Sequence, residues 1–418
     1  IARDQGAEVL VTVDNGISCL AGVKRAKEFG LQVIVTDHHL PGQELPVADA
    51  IVNPNQPGCG FASKSIAGVG VAFYLMLALR KYLRDLSWFE QRGLVEPNLA
   101  QLLDLVALGT VADVVSLDAN NRILVAQGLS RIRAGQTRPG IQALIEVSGK
   151  NQERMVASDF GFALGPRINA AGRLDDMAYG INCLLATDMM SARAMAMELD
   201  HLNKARREIE QGMQQEAERV LKQLNFDRES LPNAIALFQP DWHQGVIGIV
   251  AGRLKEKFHR PSIVFALAND DAKESTSEIK GSARSIPGLH IRDLLEHIDS
   301  QNPGLITKFG GHAMAAGLSI EQKHFSQFQQ LFNEFVGLWL KEEDFQGKLL
   351  SDGPLPSNEM TLGFAEQLRQ AGPWGQNFIE PLFDDAFELV QQRIVGEKHL
   401  KMVVQKGDQA FDAIAFNI

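Results

Sequence analysis

Residues 33–42 read VIVTDHHLPG, and this stretch indicates the fold class. Its first four residues are β-branched, as in a short buried strand, and the run ends on an acid and two adjacent histidines. A second β-branched run, VLVTV at residues 9–13, ends at Asp14, and a helical pattern that stops at Gly30 lies between the two runs. This strand–helix–strand order predicts a parallel sheet with crossover helices.

The polar residues after these strands form the first candidate site. Asp14 and Asp37 follow the carboxyl ends of their strands, the edge at which open α/β sheets bind ligands. His38 and His39 stand beside Asp37, and we group Asp113 with them. Imidazole beside carboxylate favours Mn²⁺ or another transition metal over Mg²⁺. Any one of these aspartates alone is better explained as a helix cap or a loop residue, but two histidines at a strand end favour function.

Composition narrows the function class without deciding it. The 418 residues exceed one ordinary core, so we expect two or three domains. The sequence has no apolar run of membrane-spanning length and no secretory signal, and its three cysteines are widely spaced, so we expect a cytoplasmic protein. A net charge of −10 argues against a protein that coats nucleic acid, but acidic metal ligands leave a nuclease open. Both ends read as the middle of a fold, so we expect a fragment.

The rest of the chain predicts an α/β protein with several parts. A proline-free stretch predicts one long connector helix, a second α/β pattern follows it, and the last part reads as short strands of a small β-barrel or sandwich. The stretch GFALGPRINAAGRLDD at 161–176 predicts a structured loop, and Gly109 is expected to break a helix. The predicted domains are 1–190 with the parallel sheet, 191–225 with the connector helix, 226–343 with the second α/β fold, and 344–418 with the β fold.

Two further sets of polar residues suit phosphate binding. Arg167, Asn169 and Arg173 lie on the Gly-rich stretch GPRINAAGR, although a surface loop in which these arginines pair with Asp175 and Asp176 is equally consistent. The third set joins GSARS with FGGHAMAAG, whose tandem glycines let backbone N–H groups approach an anion, although a tight turn is the alternative. Its members are Ser282, Arg284, Gly310, Gly311 and His312.

Four of these segments together resemble a known family. VDNG, TDHH, GTVADVV and GGHAMAAG are similar to the motifs of the DHH phosphoesterase superfamily with its DHHA1 second domain. The PRINAAGR stretch, the connector helix, WHQGVIGIVAGRL, KGSARS and GPWGQNFIEPLF resemble the RecJ family of single-stranded-DNA exonucleases. The resemblance covers essentially the whole chain, and it implies that residues 344–418 form an OB-like domain.

The resemblance implies a role for each residue of the first set. Asp14 would bridge two divalent metal ions, Mn²⁺ or Mg²⁺, and His38 and Asp113 would be further ligands. Asp37 would orient a ligand by hydrogen bonding. His39 would contact the scissile phosphate.

The other two sets would hold the nucleic acid. Ser282 and Arg284 match positions that hold the 5′ end of the strand in this family, and Arg167 and Arg173 would help to grip the backbone. The residues that would close over the phosphate from the DHHA1 side are Gly310, Gly311 and His312.

The function implied is a metal-dependent 5′→3′ exonuclease that hydrolyses single-stranded DNA to mononucleotides in DNA repair and recombination. A single-strand-binding protein and a helicase are the implied partners, and we expect a monomer that does not bind membranes. One departure is that the family's motif I, Asp-x-Asp-x-Asp-Gly, is absent from these residues. Two alternatives stay open: a phosphodiesterase of short oligoribonucleotides or cyclic dinucleotides, and a degenerate DHH protein that binds nucleic acid without cutting it.

Overall fold

The computed structural model of the chain describes residues 2–223, 231–268 and 277–416. Within these ranges no helix combines the length and the apolar character that a membrane span requires. The chain forms two compact units: unit 1 is Ile1–Pro166, Cys183–Ala196 and Leu350–Ile418, and unit 2 is Arg167–Asn182 and Met197–Leu349. The domain boundaries inferred from sequence stay predictions, and residues 1, 224–230, 269–276 and 417–418 of those domains lie outside the described residues.

The described residues form both helices and strands. The helices are α1 (Leu20–Glu28), α2 (Gly68–Asp85), α3 (Trp88–Gln91), α4 (Leu103–Ala112), α5 (Ala119–Arg133), α6 (Pro139–Ser148), α7 (Ala157–Asp159), α8 (Gly165–Leu174), α9 (Ala178–Leu185), α10 (Met189–Gln223), α11 (Ile247–Phe258), α12 (Ile291–Gln301), α13 (Phe325–Trp339) and α14 (Leu362–Ala371). The strands are β1 (Val9–Val13), β2 (Gln32–Thr36), β3 (Ala50–Val52), β4 (Ile235–Phe238), β5 (Ser262–Leu267), β6 (Glu278–Arg284), β7 (Lys308–Gly311), β8 (Ala315–Glu321), β9 (Glu388–Val395), β10 (His399–Lys406) and β11 (Gln409–Phe416).

Unit 1 is built on the predicted parallel sheet. Its order is β1-β2-β3, and both strand pairs are parallel. Val33 and Val35 of β2 are fully buried against Val23 of α1, because apolar residues recur on one face of that short helix. The parallel order brings the three carboxyl ends to one edge, so the residues after β1, β2 and β3 lie together there.

The helices beside this sheet correct one sequence expectation. Gly109 does not break a helix, since α4 runs through it to Ala112. A Cβ at Gly109 would come within 2.8 Å of Val69 Cγ1, so the glycine permits close packing of α4 on α2. The prediction was wrong because a glycine chosen for helix packing looks the same in sequence as one that ends a helix.

The prediction of a structured loop at 161–176 is also wrong. A π-helix at Phe160–Leu164 leads directly into α8. Pro166, the second residue of α8, lies directly after this π-helix, where the hydrogen-bonding register of the helical segment changes, and the helix continues through it. The predicted connector helix is present as α10, and residues 224–225 of that prediction lie outside the described residues.

Unit 2 contains a five-stranded sheet of order β4-β5-β6-β8-β7. Only the β4–β5 pair is parallel, and the other pairs are antiparallel. Every residue of β5 is buried, because helices cover both faces of the sheet. Val264 packs with Val250 of α11 on one face, and Phe265 packs with Leu294 of α12 and Phe328 of α13 on the other.

The C-terminal part of unit 1 contains short strands, as the prediction of a small β-barrel or sandwich requires, and their pairing is antiparallel. The described strands make an open sheet of order β11-β10-β9, with a register irregularity between Val403 and Val404. Helix α14 precedes this sheet and has no counterpart in the sequence prediction. Leu117 donates its backbone N–H to the Gln376 carbonyl at 2.8 Å, which ties this part of the chain to the segment after α4.

A buried ion pair fixes the position of α4. Asp104 is 1% exposed, and its carboxylate accepts hydrogen bonds from the guanidinium and backbone N–H of Arg138 and from the Thr137 hydroxyl. Burial alone would raise the pKa of Asp104, but the hydrogen bonds from Arg138 and Thr137 outweigh it and hold the pKa below its ordinary value. Asp104 is therefore ionised at neutral pH, and the ion pair that it forms with Arg138 holds α4 in place.

We predict that Asp104→Asn lowers the free energy of unfolding by about 3 kcal/mol, because it leaves the Arg138 charge buried without its partner. Urea unfolding followed by circular dichroism measures this. Asp85→Asn is the matched control, since Asp85 pairs with Lys81 on the surface and its loss changes stability by about 0.5 kcal/mol or less. Equal shifts in the two variants would contradict the structural role of Asp104.

Candidate active site

Asp14 stands directly after β1 in a conformation that few residues adopt. Its φ is +59°, in the left-handed region. Gly68, the first residue of α2, lies against it: a Cβ at Gly68 would come within 2.4 Å of Asp14 Oδ1 and 2.6 Å of Asp14 Cβ. A residue larger than glycine at position 68 would therefore displace the Asp14 carboxylate.

Asp37, directly after β2, is the buried carboxylate that organises the loops. It is 1% exposed. Its Oδ2 accepts from the Ile17 N–H at 2.9 Å, and its Oδ1 accepts from the backbone N–H groups of His38 (2.8 Å) and His39 (3.1 Å) and lies 2.7 Å from His39 Nδ1. Burial alone would raise the pKa of Asp37, but these hydrogen bonds hold it below the ordinary value.

The side chain of His38 meets two carboxylates. Its Nε2 lies 3.0 Å from Asp14 Oδ1 and 3.4 Å from Asp113 Oδ2. Asp14, His38 and His39 each offer one potential ligand atom, and these three atoms all lie within 4.8 Å of one another. Asp14 and Asp113 are 99 positions apart in the sequence, and the fold brings both of them to His38 and His39.

Asp113 completes this group from the end of α4. Burial raises the pKa of its carboxyl, and the nearby Asp14 carboxylate raises it further, while the imidazoles of His38 and His39 oppose the change. The next residue, Val114, has φ of +59°, which is unusual for a β-branched side chain and marks a tightly constrained turn.

The residues present fit a divalent metal ion. His38 Nε2 is buried and has no hydrogen-bond partner among the described residues, although two carboxylate oxygens face it. A bound cation would satisfy this nitrogen and relieve the repulsion between Asp14 and Asp113. A mixed imidazole and carboxylate donor set suits Mn²⁺ and also accepts Mg²⁺.

Two asparagines that the sequence analysis missed support the histidines. Asn53 follows β3 and donates its side-chain N–H to the His39 carbonyl at 2.9 Å. Asn55 donates to the His38 carbonyl at 2.6 Å, and its own backbone N–H is bound by the Asn53 side chain. The available signal was the run NPN at the end of a third short strand, the same edge that carries Asp14 and Asp37.

In unit 2, Ser282 and Arg284 lie side by side at the end of β6. Arg284 Nη1 donates to Ser282 Oγ at 3.1 Å. Burial lowers the pKa of Arg284, and the nearby positive charge of Arg173 lowers it further. A Cβ at Gly248 of α11 would come within 2.9 Å of both Arg284 Nη2 and Ser282 Oγ, so this glycine leaves the pair accessible. Two guanidinium groups and a hydroxyl thus share one surface, which suits an anion.

The strand register brings the tandem glycines to the same place. Ser282 pairs with Gly317 of β8, and Gly317 pairs with Gly310 of β7. Gly310 and Gly311 are the last two residues of β7, and the exposed His312 begins the turn to β8 and donates its backbone N–H to the Ala315 carbonyl at 2.8 Å. Gly311 has φ of +146°, and a Cβ there would meet the Ala315 carbonyl at 2.5 Å, so this turn requires glycine.

The PRINAAGR residues separate into different environments. Arg173 is exposed and donates to the Gly245 carbonyl at 3.0 Å. Asn169 is exposed on the same helix. Arg167 is buried and pairs with Asp200 at 2.8 Å, which makes Asp200, and not Asp175 or Asp176, its carboxylate partner.

Comparison with known proteins identifies the family. Three family models match: "DHH family, N-terminal domain" at residues 2–110, "DHHA1 domain" at 231–338 and "RecJ OB domain" at 351–418. The single-stranded-DNA-specific exonuclease RecJ of Dickeya dadantii is 60% identical over 419 residues, which cover 100% of this chain and 72% of that protein. The chain belongs to the RecJ family. Solved structures of family members have the same fold.

Two of these structures come from Thermus thermophilus. RecJ in complex with Mn²⁺ matches with a TM-score of 0.77 at 31% identity, covering 98% of this chain and 56% of that one. RecJ in complex with Mg²⁺ matches with a TM-score of 0.71 at 29% identity, covering 97% of this chain and 57% of that one. This chain therefore spans little more than half the length of those RecJ chains.

We predict that Gly68→Ala lowers the affinity for Mn²⁺ by about tenfold or more, because the added methyl group displaces the Asp14 carboxylate. Titration of Mn²⁺ followed by electron paramagnetic resonance measures this. Gly212→Ala is the matched control, since a Cβ there meets nothing within 4 Å and a helical alanine is favourable. Equal Mn²⁺ affinity in the two variants would show that Gly68 does not position Asp14.

Proposed function

We propose that this chain is the catalytic part of a metal-dependent exonuclease that hydrolyses single-stranded DNA to mononucleotides from the 5′ end. The convergence of Asp14, His38, His39 and Asp113 at the carboxyl edge of the parallel sheet is the observation that carries the proposal. The named activity of the 60% identical relative supports the same reaction and substrate.

The metal ligands in this proposal are Asp14, His38 and Asp113. Mn²⁺ and Mg²⁺ are the expected ions, and the two Thermus RecJ structures are complexes with one or the other. Two bound cations would supply Lewis-acid stabilisation of the phosphate and a water of lowered pKa as nucleophile. Asp37 does not need to bind metal, because its oxygens are already engaged by four donors.

His39 is the residue we assign to the scissile phosphate. Its Nδ1 is held by Asp37, so Nε2 is the nitrogen left to face a phosphate oxygen. Asn53 fixes the backbone of His39 through its carbonyl, which leaves the ring little freedom to turn away. This arrangement orients the imidazole before substrate arrives, and preorganisation of that kind lowers the barrier.

The residues of unit 2 are assigned to the 5′ end of the strand. Arg284 and Ser282 would bind the terminal phosphate, and Arg173 and Asn169 would contact the backbone. The GGH turn, Gly310 to His312, would cover the phosphate. We assign Arg167 a smaller part, because its guanidinium is buried and paired with Asp200.

The alternatives are less well supported. A phosphodiesterase of short oligoribonucleotides or cyclic dinucleotides does not account for the match to the RecJ OB domain. A degenerate protein that binds without cutting does not account for the convergence of Asp14, His38 and His39 on one potential metal site. A single-strand-binding protein and a helicase are the partners we propose, with a monomeric, cytoplasmic enzyme; the free cysteines Cys19, Cys59 and Cys183 support a reducing location.

We predict that the full-length protein carrying this sequence shortens 5′-phosphorylated single-stranded DNA stepwise with Mn²⁺, and that EDTA abolishes the activity. Asp14→Ala and His39→Ala each lower kcat by about 10²-fold or more, since they remove a metal ligand or a phosphate contact. A 3′-labelled strand, its duplex and a dinucleotide are the substrates. His201→Ala, at an exposed histidine, is the matched control.

Three other outcomes of that assay would contradict the proposal. Cleavage of the dinucleotide alone would assign the chain to small-substrate phosphodiesterases. Binding of the strand without cleavage would favour the degenerate protein. Equal activity of His39→Ala and His201→Ala would remove His39 from the site.

A second prediction tests the assignment of the 5′ end. Gly248→Ala reduces the preference for 5′-phosphate over 5′-hydroxyl by about tenfold, because the methyl group pushes Arg284 and Ser282 from their places. Gly252→Ala, one turn later on the same helix, is the control, since a Cβ there meets nothing within 4 Å. Steady-state kinetics on the two strand types measure the effect as a rise in KM. An unchanged preference would assign the 5′ end to other residues.

A further inference from the structure

Unit 1 contains a cavity that the proposed reaction does not use. Its volume is about 470 Å³, within the range of small-molecule sites. It is lined by the second half of α5, the segment from Lys150 through α7, the residues from the end of α14 to Trp374, and Glu380. None of its lining residues belongs to the metal cluster or to the anion-binding residues of unit 2.

Positive charge dominates the lining. The cations are Arg133, Lys150, Arg154 and Arg369, and the carboxylates among the described lining residues are Asp159 and Glu380. Lys150 pairs with Asp159 at 2.7 Å, and Glu366, behind the lining, pairs with Arg369 and lies 3.8 Å from Arg154.

Arg133 is the cation that lacks a carboxylate. It forms no ion pair within the described part of the chain, and its Nε donates to the Met155 carbonyl at 2.8 Å. Burial lowers the pKa of Arg133, and the charge of Arg369 lowers it further while Glu366 opposes this. Two guanidinium groups held near each other, one of them without an acidic partner, create a place where an anion is stabilised.

An aromatic wall stands beside these cations. Trp374 lines the cavity, and its ring stacks on Phe378 with centroids 4.9 Å apart and planes 20° apart. The Arg122 guanidinium lies 4.1 Å from the centroid of Phe378, and Trp374 Nε1 donates to the Leu368 carbonyl at 2.9 Å. Phe378 and Arg122 do not line the cavity, so Trp374 is the member of this column of planar groups that the cavity reaches.

We propose that this cavity binds a nucleotide, with the base against Trp374 and the phosphate near Arg133, Arg154 and Arg369. The planar wall favours a nucleotide over inorganic phosphate or an acidic peptide, which would use the cations alone. The nucleotide is either a free nucleoside 5′-monophosphate or one unit of a single strand. A free monophosphate would be the product of the proposed reaction, and that link, but not the site itself, rests on the proposed function.

The test is isothermal titration of the full-length protein with dAMP in EDTA, which prevents metal-dependent binding. Arg154→Glu and Trp374→Leu each raise the Kd for dAMP by about tenfold or more. Arg154 suits the test because its side chain is 67% exposed, so the variant keeps its fold. Arg92→Glu, an exposed arginine elsewhere in unit 1, makes the same change of charge and leaves the Kd unchanged.

Further measurements distinguish the cavity from the anion-binding residues of unit 2, and a free nucleotide from a single strand as the ligand. Arg284→Ala removes the anion-binding pair of unit 2, so dAMP that binds there is lost in this variant, whereas dAMP bound in the cavity is retained and still responds to Arg154→Glu. Deoxyadenosine and inorganic phosphate each bind more weakly than dAMP if base and phosphate are both recognised. Binding of oligo(dT) alone, with the same sensitivity to Arg154→Glu, would support the site with a strand as its ligand.

Three results would overturn the proposal. These are no binding of dAMP or oligo(dT) by the wild-type protein, equal affinity in Arg154→Glu, Trp374→Leu and Arg92→Glu, and loss of binding in Arg284→Ala alone. Exonuclease activity, measured separately on the same preparations, shows whether the reaction assigned to the metal cluster fails independently of this site.

Discussion

The buried carboxylate of Asp37 is the constraint on which the site depends. An ionised carboxylate without water is stable only if hydrogen bonds replace the lost hydration. Here three backbone N–H groups and one imidazole do so, and one of these donors, Ile17, belongs to the loop after β1. The two strand ends are therefore joined through one side chain. Because the donors include both histidines, the conformation of the DHH turn follows from the need to satisfy Asp37.

The same logic extends to residues that carry no chemistry themselves. Asn53 and Asn55 bind the carbonyls of the two histidines, so the turn is held from the strand side as well. Gly68 leaves the volume that Asp14 occupies. Asp104 is buried with Arg138 and fixes α4, the helix that ends at Asp113. Each ligand of the cluster is thus positioned by a separate packing or hydrogen-bonding requirement, which explains how residues from three segments meet within a few ångströms.

The sequence predicts the parts of this design that depend on local pattern. The β-branched runs of β1 and β2 and the helix between them determine the parallel sheet, and the sheet determines the edge at which Asp14 and Asp37 meet. The sequence does not predict features that depend on which distant residue a side chain contacts. Gly109 and Pro166 look like helix breakers, but the first contacts Val69 and the second lies at the start of α8, which continues directly from a π-helix. Gly68 acquires its importance only through its contact with Asp14, which no spacing pattern identifies. Asn53 and Asn55 act through their bonds to the histidine carbonyls, and the run NPN at a strand end is their local signal.

The net charge of the chain is likewise a poor guide to local charge. A net charge of −10 describes the whole chain and conceals how the fold distributes its arginines. In unit 2, Arg173 lies close enough to Arg284 to lower its pKa, and in unit 1, Arg369 does the same to Arg133. Holding like charges together is unfavourable unless an anion occupies the space between or beside them. In unit 1 the carboxylate of Glu366 lies beside Arg369 and opposes its effect on the pKa of Arg133. The two pairs show that the fold gathers positive charge at particular places, which the total charge does not reveal.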